Sequence, residues 1–442
     1  MLGGVNDRKI SSQIKSRVQS IFASSPFLKH VMTLVSGTVV AQVIVFFMMM
    51  IITRLYAPEV MGEFAAFTSV TAIIVSVAAG RYDMALMLER DDEAAKMVAR
   101  IAFSIICGTA LIATVATLIL RPFFASNFSE ATAKWMPFAG VCTVFMAGTA
   151  LLQYWYNRKT DYKTIAFNRV VQQVGTSGGQ VVIGGLGFTA LPGMIFGQLI
   201  GQAYAFFNLL IRAKDLRASV IKGKYSYRCL ARKHWRMPVL NAPNVLVDAV
   251  RSNGINLLIG GASVASLGQF NLANQAMYAP AALVNAAVSQ VFFQKLATVE
   301  RGRMSREVRN AIKRSLQFGV IPFAILWVIS PWLMPVIFGS QWQESGYFAR
   351  AIVPWMMVVI VSAPVSTVFI VTGKQLWSLI HSIMYCVAPL GWLWLSPYSL
   401  LTTVYGLGII NACFLSASVV MAYLAAKYFD KANEKEDTED SN

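Results

Sequence analysis

Two ionised residues stand one helical turn apart inside an otherwise apolar stretch, Asp248 and Arg251. Their i,i+3 spacing puts both on one helix face. About 10 and 13 residues from the end of the run, at about 1.5 Å per residue, they lie roughly 15–20 Å deep in a spanning helix. A charged side chain at mid-bilayer costs at least about 2.5–3.5 kcal/mol. Such a pair either neutralises itself or faces a polar cleft, where the guanidinium holds an anion and the carboxylate can titrate. Arg81 and Asp83 form a second pair near the end of their run, where Arg81 can snorkel to the surface; in a cleft they would form its lip. Amides surround these groups. Asn241, Asn244, Asn253 and Asn256 share the run of Asp248, and Asn271, Asn274, Gln275, Asn285 and Gln290 follow on the next. Gln42, Gln172, Gln173 and Gln180 lie earlier in the chain. Amides at this density do not face lipid. They join helices or line an aqueous path. The five cysteines form no CxxC and the three histidines are scattered, so neither a metal site nor a disulfide is expected. No cofactor is expected, and proton or sodium coupling is left open.

The elements carrying these residues are set by composition. Of 442 residues, 56% are hydrophobic and only 13% charged, with a mean hydropathy of +0.56. A soluble domain carries about 25% charged residues, so the solvent for this chain is a bilayer. Runs long enough to span one predict twelve helices: 30–53, 62–88, 98–120, 135–156, 165–187, 190–211, 238–261, 267–294, 312–338, 347–371, 376–395 and 400–426. With the N-terminus on the cytoplasmic side, 32 of the 38 Lys and Arg fall in cytoplasmic segments and four in the opposite loops. That asymmetry is a positive-inside signal; it predicts a multi-pass protein with both termini cytoplasmic, and it accounts for the net charge of +17 without nucleic acid. No cleaved signal peptide is expected from the polar start. The organisation read from the chain is a cytoplasmic segment 1–29, an N-lobe 30–211, a basic linker 212–237, a C-lobe 238–426 and an acidic tail 427–442 without fixed structure.

The two lobes repeat. Val60-Met61-Gly62-Glu63-Phe64 after span 1 matches Ser266-Leu267-Gly268-Gln269-Phe270 after span 7, at an offset of 206. The same offset carries span 1 onto span 7 and Gln42 onto Asp248. Six spans per lobe make the repeats parallel, related by an axis along the membrane normal. The expected fold is an all-α polytopic membrane protein, two six-helix bundles around a central cleft.

Several segments resemble one family. Ile52-Thr53-Arg54-Leu55-Tyr56-Ala57-Pro58-Glu59-Val60-Met61-Gly62-Glu63-Phe64 is similar to the segment after the first span of Wzx-type polysaccharide flippases. Gly80-Arg81-Tyr82-Asp83-Met84-Ala85-Leu86 resembles their conserved Arg-Tyr-Glu segment, with Asp for Glu, and Asp91-Asp92-Glu93-Ala94 their short acidic loop. Trp155 to Lys163 and Ala276 to Phe292 resemble two further segments. The resemblance runs from about residue 30 to 425. It implies the multidrug/oligosaccharidyl-lipid/polysaccharide (MOP) exporter superfamily, a bacterial inner-membrane location, and transfer of a polyprenyl-pyrophosphate-linked oligosaccharide between leaflets by alternating access. It also implies that spans 1 and 7 and the helices after them face the cavity. The expected substrate contacts are Arg251, Asp248, Arg81, Asp83, Asn244, Asn253, Asn256, Asn274, Gln275 and Gln42. Membrane lipids, a polysaccharide polymerase and a chain-length regulator are the implied partners. The rivals are a multidrug exporter, which would favour acids without neighbouring bases, and a lipid II exporter, which usually has two further spans. A polymerase or ligase would need a sizeable outer loop. The chain is not expected to be an enzyme.

Overall fold

The computed structural model describes residues 26–217, 226–278, 281, 302–365, 368–372 and 375–439. Twelve long helices dominate them: α1 (Pro26–Leu55), α2 (Pro58–Val77), α3 (Asp92–Ile119), α4 (Phe138–Arg158), α5 (Tyr162–Gly185), α6 (Leu191–Arg212), α7 (Ala242–Ala262), α8 (264–278), α9 (Met304–Phe338), α10 (Gln343–Val365), α11 (Gln375–Leu395) and α12 (Leu400–Glu439). Among the described residues, seven are long and apolar enough to cross a membrane: α2, α3, α4, α6, α9, α10 and α12. The apolar parts of α1 and α11 are shorter, Val40–Leu55 and Ile380–Leu395. The polar content of α5 and α7 keeps them below that threshold, which already separates helices that meet lipid from helices that meet something wetter.

The packing gives two bundles. In the first, α1 packs on α5, α5 on α6, α6 on α4, and α4 on α2 and α3. In the second, α7 packs on α11, α11 on α12, and α12 on α9 and α10. Two glycines of α5 let α6 approach closely: a β-carbon on Gly179 would lie 2.9 Å from the Gly197 carbonyl oxygen, and one on Gly175 would lie 3.0 Å from the Gly201 Cα.

Two sets of loops converge at opposite faces. On one, here the basic face, Glu89 accepts from Lys233 (2.6 and 2.9 Å) and lies 2.6 Å from His234 Nε2. Arg158 donates to the Glu89 and Arg90 carbonyl oxygens and pairs with Asp92, while Lys159 pairs with Asp215. On the other face, Trp342 Nε1 donates to the Thr53 carbonyl oxygen at 2.8 Å, and Gln341 donates to the same atom. Ser129 donates to Glu63, and Gln269 accepts from Ser345. Both contacts tie the second helix of a bundle to the approach to its fourth. The repeat thus extends to hydrogen bonding, and its axis is visible. Gly62 and Gly268, equivalent at the offset of 206, face each other where α2 meets α8, and a β-carbon on Gly268 would lie 2.9 Å from the Gly62 nitrogen.

Two expectations need correction. Span 62–88 is not one helix: α2 ends at Val77, and Gly80 and Arg81 take positive φ (54° and 60°) before short helices over Tyr82–Ala85 and Leu86–Leu88. A left-handed non-glycine residue costs about 1–2 kcal/mol. Here the turn is held by packing: Tyr82 is buried and its hydroxyl donates to the Ala231 carbonyl oxygen at 3.0 Å. The acidic tail is also more ordered than its composition suggests, because α12 continues through Glu439. Ala425 and Ala426 are buried in one cluster with Met304 and Val308, and Asp430 caps α9 by accepting from the Met304 and Ser305 amides (3.0 and 2.8 Å).

Candidate functional site

The site begins on α1, where Gln42, Val45, Phe46, Met49 and Ile52 recur at helical spacing and so share a face. On α8, Asn271, Asn274, Gln275 and Tyr278 fall at i, i+3, i+4 and i+7 and do the same. Between these faces and α5 lies a cavity of about 370 Å³, lined by Gln42, Gln173, Asn274, Gln275 and Tyr278, with Phe46 and Phe338 among the apolar members. A second cavity of about 220 Å³ shares Val45, Met49, Gln173 and Gln275 with the first. It runs on toward α2 and α6 past Thr176, Ser177, Gln180, Gln198, Gln202 and Asn271. The two form one chamber whose described polar lining is neutral: amides and hydroxyls, with neither a carboxylate nor a cation.

Some of these groups are engaged. Gln172 donates to Gln202 at 2.6 Å, Gln180 to the Met194 carbonyl oxygen at 3.3 Å, and Gln275 to Asn271 at 2.8 Å. Two are not: Asn274 Oδ1 and Thr176 Oγ1 are buried without a hydrogen-bond partner among the described residues. A buried unsatisfied polar group costs about 1–3 kcal/mol. Beyond the chamber, toward the face opposite the basic one, the helices pack closely. Tyr56 is fully buried there, donates to the Gln180 carbonyl oxygen at 2.9 Å, and packs on Gly184 and Gly193.

One turn before the chamber, toward the basic face, stands Arg169, which lines neither cavity and is itself engaged with a partner. On α5, Arg169, Gln173, Thr176 and Gln180 fall within a narrow stripe, at 0, +4, +7 and +11 residues. The last three line the chamber. Arg169 is half-buried about 6 Å before Gln173 along the axis. In the sequence Arg169 lies just inside the end of the expected span 165–187, beside the cytoplasmic cations, and is not among the expected contacts. Its spacing from three polar residues of α5 is the signal that could have found it.

The expected contacts fall into three groups. Gln42, Asn274 and Gln275 line the chamber. Asp248 and Arg251 pair with each other at 2.7 Å, and the Arg251 guanidinium sits 4.6 Å above the Tyr385 ring of α11. Asp248 is 70% exposed and Arg251 19%, and neither lines the chamber. Asn253 donates to the Ala249 carbonyl oxygen of its own helix, Asn256 bridges to Ser69 of α2 at 3.0 Å, and Asn244 is exposed. Arg81 and Asp83 lie in the turn after α2, Asp83 buried, on the basic face. Asn285 and Gln290 lie outside the described residues. No group of three or more His, Cys, Asp or Glu that could hold a metal occurs among the described residues.

Residues 51–346 match the family described as polysaccharide biosynthesis protein, well over half of the chain. The chain belongs to that family. Solved structures share its fold. One, titled lipid II flippase MurJ in an inward closed conformation, has a TM-score of 0.70 at 14% identity, covering 88% of each chain. Another, a MATE transporter in a bent conformation, has a TM-score of 0.52 at 14% identity over 92% of this chain and 97% of that one. A MOP superfamily transporter from Pyrococcus furiosus has a TM-score of 0.52 at 14% identity, over 92% and 96%. No curated protein matches the sequence significantly. The protein is a multi-pass membrane protein with the MOP transporter fold, in agreement with the resemblance to Wzx-type flippases.

Proposed function

We propose that this protein moves a polyprenyl-pyrophosphate-linked oligosaccharide across the bacterial inner membrane by alternating access, with the basic face cytoplasmic. The observation that carries this reading is the chamber whose described polar lining is neutral, amides and hydroxyls throughout. Sugar hydroxyls and acetamido groups both donate and accept, and so do Gln and Asn side chains. A cationic drug would need a carboxylate, and the described lining has none; the absence weighs against a multidrug exporter. Phe46 and Tyr278 add aromatic surface beside the amides. In this reading Arg169 exchanges its present partner for the pyrophosphate, because a guanidinium forks onto phosphate oxygens and the residue lies one turn before the amides of its stripe. The close packing around Tyr56 then makes the described state one that receives substrate from the cytoplasmic side.

Deletion tests the reading. A strain lacking the gene and any redundant flippase should lose one surface polysaccharide and accumulate its lipid-linked precursor in the inner leaflet. Normal surface polysaccharide with raised sensitivity to cationic drugs would instead favour the multidrug reading.

A further inference from the structure

A third cavity, of about 310 Å³, adjoins the chamber but differs from it in chemistry. It lies between α1, α8 and α9, lined by Val43, Phe47, Met277, Leu326, Leu333 and Met334. Gln42, Phe46, Ala276 and Phe338 line both it and the polar cavity. Among the described residues, Gln42 is its single polar lining side chain. Its volume falls in the range of sites that hold small molecules, about 300–1,000 Å³. Val43 and Phe47 are 42% and 61% exposed on α1, so the groove reaches the surface that meets lipid.

We propose that this groove binds the first isoprene units of the substrate's polyprenyl chain, so that the substrate spans the boundary at Gln42 and Phe46. The inference rests on the proposed function. Its own basis is continuity: a polar chamber and an apolar groove meet along shared walls, and an amphiphile with one polar and one apolar end fits the pair where neither a free sugar nor a bulk acyl chain would. Gln42 stands at the junction, facing both. The carrier's chain then contributes to recognition and is not merely left in the bilayer.

The test uses the full-length protein in liposomes and two substrates with the same glycan and pyrophosphate, one on a long polyprenyl chain and one, the short-chain substrate, on a methyl group with no isoprene unit. Leu333→Trp and Val43→Trp fill the groove. Each should slow transport of the long-chain substrate about tenfold, the loss expected when about two methylene groups are kept from burial, and leave the short-chain substrate unchanged. The short-chain result controls for folding. A photoreactive group on the first isoprene units should label the groove residues Val43 and Leu333 and spare Ile119, which is 72% exposed on α3. Equal labelling at all three positions, or parallel loss of both substrates in the filled variants, overturns the groove. Wild-type protein that moves neither substrate overturns the function and the groove together.

Discussion

Gln42 and Asp248 occupy the same place in the two halves of the repeat, and their surroundings have diverged. On the α1/α5 face, Gln42 meets Gln173 across a chamber whose described lining carries no charge. On the α7/α11 face, Asp248 meets Arg251, and Arg251 covers the Tyr385 ring. The first face has buried polar atoms without partners. In the second, charge is met by opposite charge and by an aromatic quadrupole. Duplication thus supplies geometry twice and leaves chemistry free to differ: neutral amides on one face, an ion pair on the other.

The sharpest way to break this contrast is to compare arginines. Arg169→Gln should lower export about 10- to 150-fold at normal protein abundance, the loss of a charged hydrogen bond of about 1.5–3 kcal/mol. The double variant Asp248→Asn/Arg251→Ala removes both charges of the α7 pair and should keep export within about threefold. The single Arg251→Ala is less informative because it leaves Asp248 without its partner. Transport of labelled substrate into liposomes reads all of these. The reverse order, with the double variant inactive and Arg169→Gln active, would make the α7 face the anion site and the α5 stripe a structural seam.

The contrast also marks what was legible in the sequence. Helix number, the repeat and the family follow from apolar runs, charge asymmetry and ordered motifs, because the bilayer imposes length and polarity on each span. Gln42, Asn274 and Gln275 were legible as amides that cannot face lipid. Arg169 was not, because run boundaries are set by hydropathy and a cation near a boundary reads as one of the cytoplasmic cations. The fate of Asp248 and Arg251 depends on which helix packs beside α7, and Tyr385 lies 134 residues beyond Arg251. The break in the second span was obscured for a related reason. The apolar run continues past Val77, but the left-handed turn at Gly80 and Arg81 is fixed by packing against the segment before α7.

A smaller effect tests whether the axis of the repeat is also the closed gate. A β-carbon on Gly268 would overlap the Pro58 carbonyl oxygen, whereas Gly261 on α7 has open space around it. Gly268→Ala must push α2 from α8, and overpacking of this kind costs about 1–3 kcal/mol. Export should fall several-fold. A cysteine at the buried Ile52 position should react faster with an impermeant thiol reagent from the outer side, measured after replacing the exposed native cysteines. Gly261→Ala should change neither. Unchanged labelling in Gly268→Ala would place the gate elsewhere.

The smallest effect concerns the tie at the basic face, which anchors the entry to α7 and so keeps the two faces of the repeat in register. Burial pushes the Glu89 carboxyl up, but hydrogen bonds and charge from Lys233 and His234 outweigh it and hold the group below the usual carboxylate range. The Arg158 guanidinium adds donors to the Glu89 backbone carbonyl and is itself paired with Asp92. A carboxyl depressed in the folded state stabilises it above the unfolded value, about 4.3, and loses that contribution as the pH falls through the folded value. Glu89→Gln should therefore lower thermal stability at neutral pH by about 1–2 kcal/mol, a loss of charge-assisted hydrogen bonds with shape kept. The gap between wild type and variant should persist down to the usual carboxylate range and close only below it. Export by Glu89→Gln should stay within about twofold, since the tie touches neither the chamber nor the packing around Tyr56. A gap that already closes near neutral pH would mean that the Glu89 carboxylate does not carry the tie.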